Sequence, residues 1–314
     1  MAEKSEHYGI IIIGAGPAGF TAAIYAARGG VRTCLFGGIA PGGQLLQTTE
    51  IENFPGFPEP VAGSDLMTAM LKQAKRLGTE VLTDDALAVD FSPPPFSVSA
   101  SSGRKYTADA VIIATGARAK WLGLPSEQKY IGKGVSGCAT CDGFFYRGKE
   151  VCVIGGGDSA VEDALFLTKF AAKVYLVHRR GQLRANFRLQ DKLKKNDKVE
   201  IVYDSVLDEV LGEAKASGAK IRNIETGETR LLPTPGVFIA VGHTPATEIF
   251  RGKLNLDDSG YIAADDSTRT SVCGVFAAGD VMDRYYKQAV VAAGAGCKAA
   301  LEALQHLEEI KSGE

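Results

Sequence analysis

Cys138-Ala139-Thr140-Cys141-Asp142 sets two thiols and a carboxylate within five residues. Two residues between the cysteines let one short turn bring the sulfurs within bonding distance. The pair can therefore cycle between disulfide and dithiol, with a thiolate as the reactive species. Asp142 is the only acid within two residues of the pair, so it is the nearest group to give or take the proton that accompanies each electron pair. The other cysteines, Cys34, Cys152, Cys273 and Cys297, stand isolated. A zinc site needs a second Cys-x-x-Cys or paired histidines, and no metal is expected. A static structural bridge is the alternative reading. It suits a secreted chain, whereas Met1-Ala2-Glu3-Lys4-Ser5-Glu6 and the short apolar run Ile10 to Ile13 do not make a secretory signal. A cytoplasmic protein with a redox-active pair is the expectation.

Elements must carry that pair to its electron source, and two glycine-rich units present themselves. Ile10 to Ile13 is a continuous β-branched run, as in a strand buried on both faces of a parallel sheet. Gly14-Ala15-Gly16-Pro17-Ala18-Gly19 follows, and a helix from Ala18 to Arg28 would point its N–H groups at a pyrophosphate. The next strand, Val31 to Phe36, ends in Gly37-Gly38, with no acid to grip a ribose 2′-hydroxyl. That argues against NAD in its ordinary pose and leaves a larger dinucleotide such as FAD. The loops Pro41 to Leu45 and Glu50 to Gly56 carry Gln44 and Asn53, whose amides suit a flavin edge, although plain turn chemistry accounts for them equally. Leu66 to Leu77 reads as a helix, Val81 to Val111 as a meander of short strands, and Asp109 to Gly116 as a buried strand leaving through Thr115-Gly116.

The second unit repeats the first. Val151 to Ile154 runs into Gly155-Gly156-Gly157-Asp158-Ser159-Ala160, with Gly155 matching Gly14 and Ala160 matching Gly19. Strand Lys173 to Val177 ends in His178-Arg179-Arg180, with Arg184 a turn further. Where NAD would want a carboxylate stand guanidinium groups, whose forked donors match the 2′-phosphate of NADPH. Gly155, Gly157, Asp158 and Ser159 are the candidate NADPH cradle. The acids Asp158, Glu162 and Asp163 are also accounted for as capping and surface charges. Thr234 to Pro245 repeats the first unit's strand-to-glycine exit, and Gly274 to Asp280 is a strand ending in Gly279-Asp280 beside the first dinucleotide. Gln288-Ala289 opens the last helix, Val290 to Leu307. The fold class is α/β, with two Rossmann-like (three-layer ββα) dinucleotide-binding domains, the second inserted in the first. Residues 1–117 and 248–314 would bind FAD, and 118–247 NADPH. At 314 residues the chain is long enough for two cored domains, and a net charge of −2 gives no general pull to nucleic acid or anionic membrane.

With these residues assembled, the chain resembles the low-molecular-weight thioredoxin reductases over essentially its whole length. The shared motifs are Gly14-x-Gly16-x-x-Gly19, Cys138 to Gly143, Gly155-x-Gly157-x-x-Ala160, His178-Arg179-Arg180-x-x-x-Arg184 and Ala277 to Asp280. The resemblance implies reduction of thioredoxin by NADPH through FAD and a redox disulfide. It makes Cys141 the thiol nearest the flavin, Cys138 the one that attacks thioredoxin, and Asp142 the acid and base. It has Gln44, Asn53, Asp280, Gln288 and Ala289 contact FAD, and it implies a homodimer. The larger reductase class carries its cysteines directly after the first glycine motif, where Cys34 stands alone here. Since the nicotinamide turn and the cysteines share the inserted domain, a hinge rotation near residues 117–120 and 245–248 is expected to present them to the flavin in turn. Phe144, Phe145 and Arg147 are either a docking patch or buried packing. A flavin-dependent dithiol oxidase, a module feeding a peroxidase and a flavin-binding sensor are the rivals, and the three arginines favour an NADPH-driven reductase.

Overall fold

The computed structural model describes residues 5–48 and 50–313; the N-terminal reading over Met1–Lys4 lies outside them. Two compact units emerge, Met1–Arg118 with Thr244–Glu314, and Ala119–His243.

The first unit is built on β1 (Glu6–Ile13), α1 (Pro17–Arg28), β2 (Thr33–Phe36), α2 (Gly63–Arg76), β3 (Glu80–Leu82), β4 (Ala86–Asp90), β5 (Phe96–Ala100) and β6 (Lys105–Ile113). Its sheet runs β3-β2-β1-β6-β5-β4. β1 pairs in parallel with β2 and β6, putting Ile13 opposite both Phe36 and Ile113. Ile10 and Ile12 feed the core under α1, while Ile11 and Ile13 feed the core on the other face. Successive residues of a strand point to opposite faces, so a run of isoleucines satisfies two cores at once. Each such side chain contributes about 1.5–3 kcal/mol of burial. The nine residues of β6 serve two neighbours: Lys105 to Ala108 pair with antiparallel β5, and Val111 to Ile113 with a parallel strand that arrives after the insertion.

The chain leaves through β7 (Ala117–Ala119), which pairs with the returning strand. The second unit then holds α3 (Pro125–Tyr130), β8 (Val135–Ser136), α4 (Ala139–Asp142), β9 (Glu150–Gly155), α5 (Asp158–Leu167), β10 (Lys173–Val177), α6 (Phe187–Lys194) and β11 (Val199–Val202), then β12 (Ser205–Gly212), β13 (Ala216–Asn223), β14 (Thr229–Leu232) and β15 (Gly236–Ala240). A sheet ordered β11-β10-β9-β15-β8 is parallel throughout, and β12-β13-β14 form a separate antiparallel sheet. Val151 and Val153 of β9 pack toward α5, and Cys152 and Ile154 toward the antiparallel sheet. The start of this unit is fastened by the buried Glu127 carboxylate, which accepts N–H bonds from Leu122 (2.9 Å) and Gly123 (2.8 Å).

The chain returns through β16 (His243–Pro245), then β17 (Val275–Ala277) beside β6 and α7 (Ala289–Ser312). The second division falls at His243/Thr244 rather than after residue 247. Residue 246 is already tied to the first unit: its N–H donates to the Gly116 carbonyl at 2.9 Å, and its carbonyl accepts from Thr115 Oγ1 at 2.7 Å. Among the described residues no helix is long and apolar enough to cross a membrane.

Candidate active site

The redox turn begins where β8 ends. Gly137 leads to Cys138, the N-cap of α4, and Cys138 and Cys141 are joined by a disulfide with Cα atoms 5.3 Å apart. Cys138 Sγ accepts the Cys141 N–H at 3.2 Å and lies 3.3 Å from Thr140 Oγ1. Donors aimed at a sulfur favour its anionic form, so this turn suits a thiolate at Cys138 once the bond opens. Cys141 is exposed and Cys138 half-buried. Burial pushes the Asp142 carboxyl above its ordinary range, and a hydrogen bond with Ser136 pulls the other way. A carboxyl that keeps its proton nearer to neutrality is better matched to acid and base work. The Tyr146 phenol is pushed up to about 12 by burial, with the Asp142 charge adding to it.

The first glycine turn forms a cradle open on one side. Gly14 has φ +112°, and a Cβ there would stand 2.3 Å from the Ala114 carbonyl oxygen; a Cβ on Gly19 would stand 1.8 Å from the Gly14 oxygen. A Cβ on Gly16 would meet nothing within 4 Å. The turn is thus closed against the protein at its ends and open at its middle, which fits close approach of a pyrophosphate to the backbone. Pro17 occupies the first turn of α1, where its missing N–H costs nothing, and Ala18 is buried behind it. A Cβ on Gly279 (φ +75°) would stand 3.0 Å from the Ala18 Cβ and 3.3 Å from that of Ala292, so Gly279 joins the starts of α1 and α7. Asp280 follows, its carboxyl pushed up to about 6 by burial, with Lys287 opposing the shift and Asp283 adding to it. Asn53 Nδ2 donates to Gln288 Oε1 at 3.2 Å across 235 residues of chain, Gln44 Nε2 donates to the Ala117 carbonyl, and Ala289 opens α7. Thr115 and Gly116 leave β6 and are engaged by the returning segment.

The second turn has the same plan. A Cβ on Gly155 would stand 2.5 Å from the Ala240 carbonyl oxygen, as Gly14 does from Ala114, whereas at Gly157 the nearest atom is an Arg184 Nη at 3.9 Å. The Arg184 N–H donates to the Gly156 carbonyl at 2.7 Å, fastening the arginine loop to the glycine turn. Arg179, Arg180, Arg184 and Ser159 are exposed. His178, which the sequence groups with the arginines, is instead 5% exposed and lies against Gly156; its Nε2 is 2.9 Å from the Gln182 carbonyl oxygen, and burial lowers its pKa. It supports the turn from beneath as a neutral ring. Asp158 Oδ1 accepts from the Asn186 N–H at 2.7 Å, so its carboxylate ties the arginine loop to α5. Ser136 and Asn186 escaped the sequence reading, since neither belongs to a motif. Among the described residues no cluster of three or more His, Cys, Asp or Glu could hold a metal ion.

Known proteins can now be set beside this arrangement. Residues 8–296 match the family described as pyridine nucleotide-disulphide oxidoreductase. The chain belongs to that family. It is a redox enzyme, and its cofactors are FAD and NADPH. A thioredoxin reductase of Rickettsia conorii is 53% identical over 304 residues, covering 96% of this chain and 98% of the relative. The solved thioredoxin reductase of Giardia duodenalis is 46% identical with TM-score 0.93, covering 97% of this chain and 100% of that one. That of Streptococcus pyogenes is 41% identical with TM-score 0.93, covering 98% and 100%.

Proposed function

We propose that the chain reduces the disulfide of a thioredoxin with electrons from NADPH. The observation that carries this reading is a disulfide at Cys138 and Cys141 whose turn is built to stabilise a thiolate, in a chain with two open glycine cradles. FAD, when bound, relays an electron pair between a nicotinamide and a disulfide. In this reading Gly14, Gly16, Pro17, Ala18 and Gly19 receive its pyrophosphate, with Thr115, Gly116, Gly279 and Asp280 around the ribityl chain. Gln44, Asn53, Gln288 and Ala289 meet the ring. Gly155, Gly157, Asp158 and Ser159 receive NADPH, whose 2′-phosphate is held by Arg179, Arg180 and Arg184 over the support of His178.

Once the pair is reduced, the chain's own groups complete the exchange. The Cys138 thiolate, held by the Cys141 N–H, attacks one sulfur of the substrate disulfide. A mixed disulfide forms, and the departing substrate sulfur takes the proton of Asp142. Cys141 then gives its proton to the Asp142 carboxylate and attacks Cys138, the second substrate sulfur leaves as a thiolate, and the Cys138–Cys141 bond is restored with two electrons passed on. Phe144 and Phe145, 50% and 37% exposed, follow directly on this turn, and the Arg147 guanidinium sits 5.1 Å above the Phe144 ring. That apolar and cationic face is the docking surface for the protein substrate.

The glycine turn for FAD and the dithiol belong to different units, and the nicotinamide turn belongs with the dithiol. The two units turn on β7 and β16 between half-reactions, and a crosslink that fixes one unit to the other stops turnover. A homodimer in the cytoplasm, with no membrane or nucleic-acid partner, completes the reading and is in keeping with a net charge of −2. The test is anaerobic NADPH oxidation by the FAD-loaded chain with oxidised thioredoxin. The reading requires NADPH consumption that depends on thioredoxin; consumption that needs oxygen and ignores thioredoxin would overturn it.

A further inference from the structure

We propose that Phe187 is the surface on which the adenine of NADPH stacks, in a cavity that it shares with Arg184 and Tyr203. The residue is 89% exposed, the highest value for a large apolar side chain among the described residues. A single apolar residue on a surface needs no explanation. Two features of its surroundings give this one a use. Phe187 opens α6 directly after Asn186, whose N–H and Nδ2 both donate to Asp158 Oδ1, at 2.7 and 3.2 Å. Asp158 begins α5 at the second glycine turn, so Phe187 is tied to that turn through its neighbour. Asn186 Oδ1 also accepts the Leu189 N–H at 3.0 Å, which fixes the first turn of the helix that carries the ring.

The second feature is a cavity of about 630 Å³ lined by Arg184, Phe187 and Tyr203, together with the loop from Gly181 to Asn186. Small-molecule sites span roughly 300–1,000 Å³, so a base and its ribose fit there. Arg184 borders both places. One Nη lies 3.9 Å from where a Cβ on Gly157 would stand, at the open middle of the glycine turn, and the residue also lines the cavity. In NADPH the 2′-phosphate and the adenine sit on adjacent carbons of one ribose. A phosphate held by Arg184 therefore brings the base to the cavity wall, where the Phe187 ring follows three residues later. Stacking on an aromatic face does not depend on the 2′-phosphate, which the guanidinium groups read separately. The arginines thus choose between the two nicotinamide coenzymes, and Phe187 adds affinity for the adenosine half of either.

The inference rests on the reading that the second turn and its arginines take NADPH, and the experiment keeps the two apart. Calorimetry measures the binding of adenosine 2′,5′-bisphosphate and of 5′-ADP to the FAD-loaded chain. Losing a stacked base costs about 5- to 150-fold in affinity, so Phe187→Ala weakens both nucleotides by a common factor in that range, and Phe187→Trp restores them. Replacing Arg179 and Arg180 with glutamine weakens the bisphosphate alone. The indole added by Phe187→Trp is quenched by either nucleotide beyond any quenching of Trp121 in the wild type, a contact that a merely structural role would not give. Because the ring is exposed, Phe187→Ala keeps its fold, which circular dichroism checks. If the arginine variant binds the bisphosphate as tightly as wild type, the assignment of the NADPH site fails and this inference with it. If the arginine variant loses the bisphosphate but Phe187→Ala binds both nucleotides unchanged, the Phe187 proposal alone is overturned.

Discussion

Alanine at the two glycines of the first turn should have opposite consequences. At Gly19 the new Cβ would stand 1.8 Å from the Gly14 oxygen, and reaching 3.0 Å takes about 1.2 Å of displacement between α1 and the end of β1. Overpacking of that kind costs about 1–3 kcal/mol and sometimes more, so Gly19→Ala destabilises the protein with or without cofactor. At Gly16 the Cβ meets nothing within 4 Å, and the backbone is extended with φ −80° and ψ −173°, which alanine adopts freely. Gly16→Ala therefore leaves the FAD-free protein as stable as wild type or steadier by about 0.4–1 kcal/mol, through the reduced freedom of its unfolded chain. Its methyl occupies the space the account gives to a pyrophosphate. A clash of about 1–3 kcal/mol felt only in the complex weakens FAD binding about 5- to 150-fold. Thermal unfolding of the FAD-free variants, with fluorescence titration by FAD, reads both quantities. A folded Gly16→Ala variant that binds FAD as tightly as wild type would refute the reasoning, because the open face of the turn would then not be where the dinucleotide lies.

Other outcomes follow from the same geometry. Replacing Arg179 and Arg180 with glutamine removes the charge matched to a 2′-phosphate, so KM for NADPH rises about 10- to 100-fold while that for NADH stays put; equal loss with both coenzymes would contradict the assignment. Asp280 has a folded pKa of about 6 against an ordinary 3.8, so the folded FAD-free protein holds a proton that the unfolded chain has released between those values. Its contribution is therefore favourable at low pH and is lost as pH rises through about 6, by at most about 3 kcal/mol. The stability difference between wild type and Asp280→Asn, from urea unfolding at several pH values, should grow over that window and level off above it; a difference independent of pH would mean that Asp280 is not held out of water. Cys138→Ser and Cys141→Ser should each abolish thioredoxin reduction while NADPH still reduces a small-molecule dye acceptor, and retained thioredoxin reduction in either would sink the dithiol mechanism.

The parts legible in the sequence are those where sterics leave few choices. Gly14, Gly19 and Gly155 stand against carbonyl oxygens that exclude any side chain, and each turn follows a buried apolar run, Ile10 to Ile13 or Val151 to Ile154, so composition and spacing together read as strand, turn and helix. The cysteine pair was equally plain, because two intervening residues suffice to close it. The strands over Ser205 to Leu232 went unread, since they are partly exposed and antiparallel and carry no motif. The ends of strands were the other difficulty. His178 and Arg179 are neighbours, yet one turns under Gly156 and the other toward water, a distinction that depends on the tertiary path of the loop. Asn53 was singled out for its amide and Gln288 as the opening of the last helix, and only the fold brings them within 3.2 Å.

The most direct test is an anaerobic titration of the FAD-loaded chain with NADPH, following the flavin absorbance and then counting thiols with a chromogenic reagent. The account predicts that the thiols of Cys138 and Cys141 appear as NADPH is consumed, that oxidised thioredoxin makes them vanish again, and that NADH does far less at equal concentration. Flavin bleaching with the two sulfurs still oxidised would contradict it.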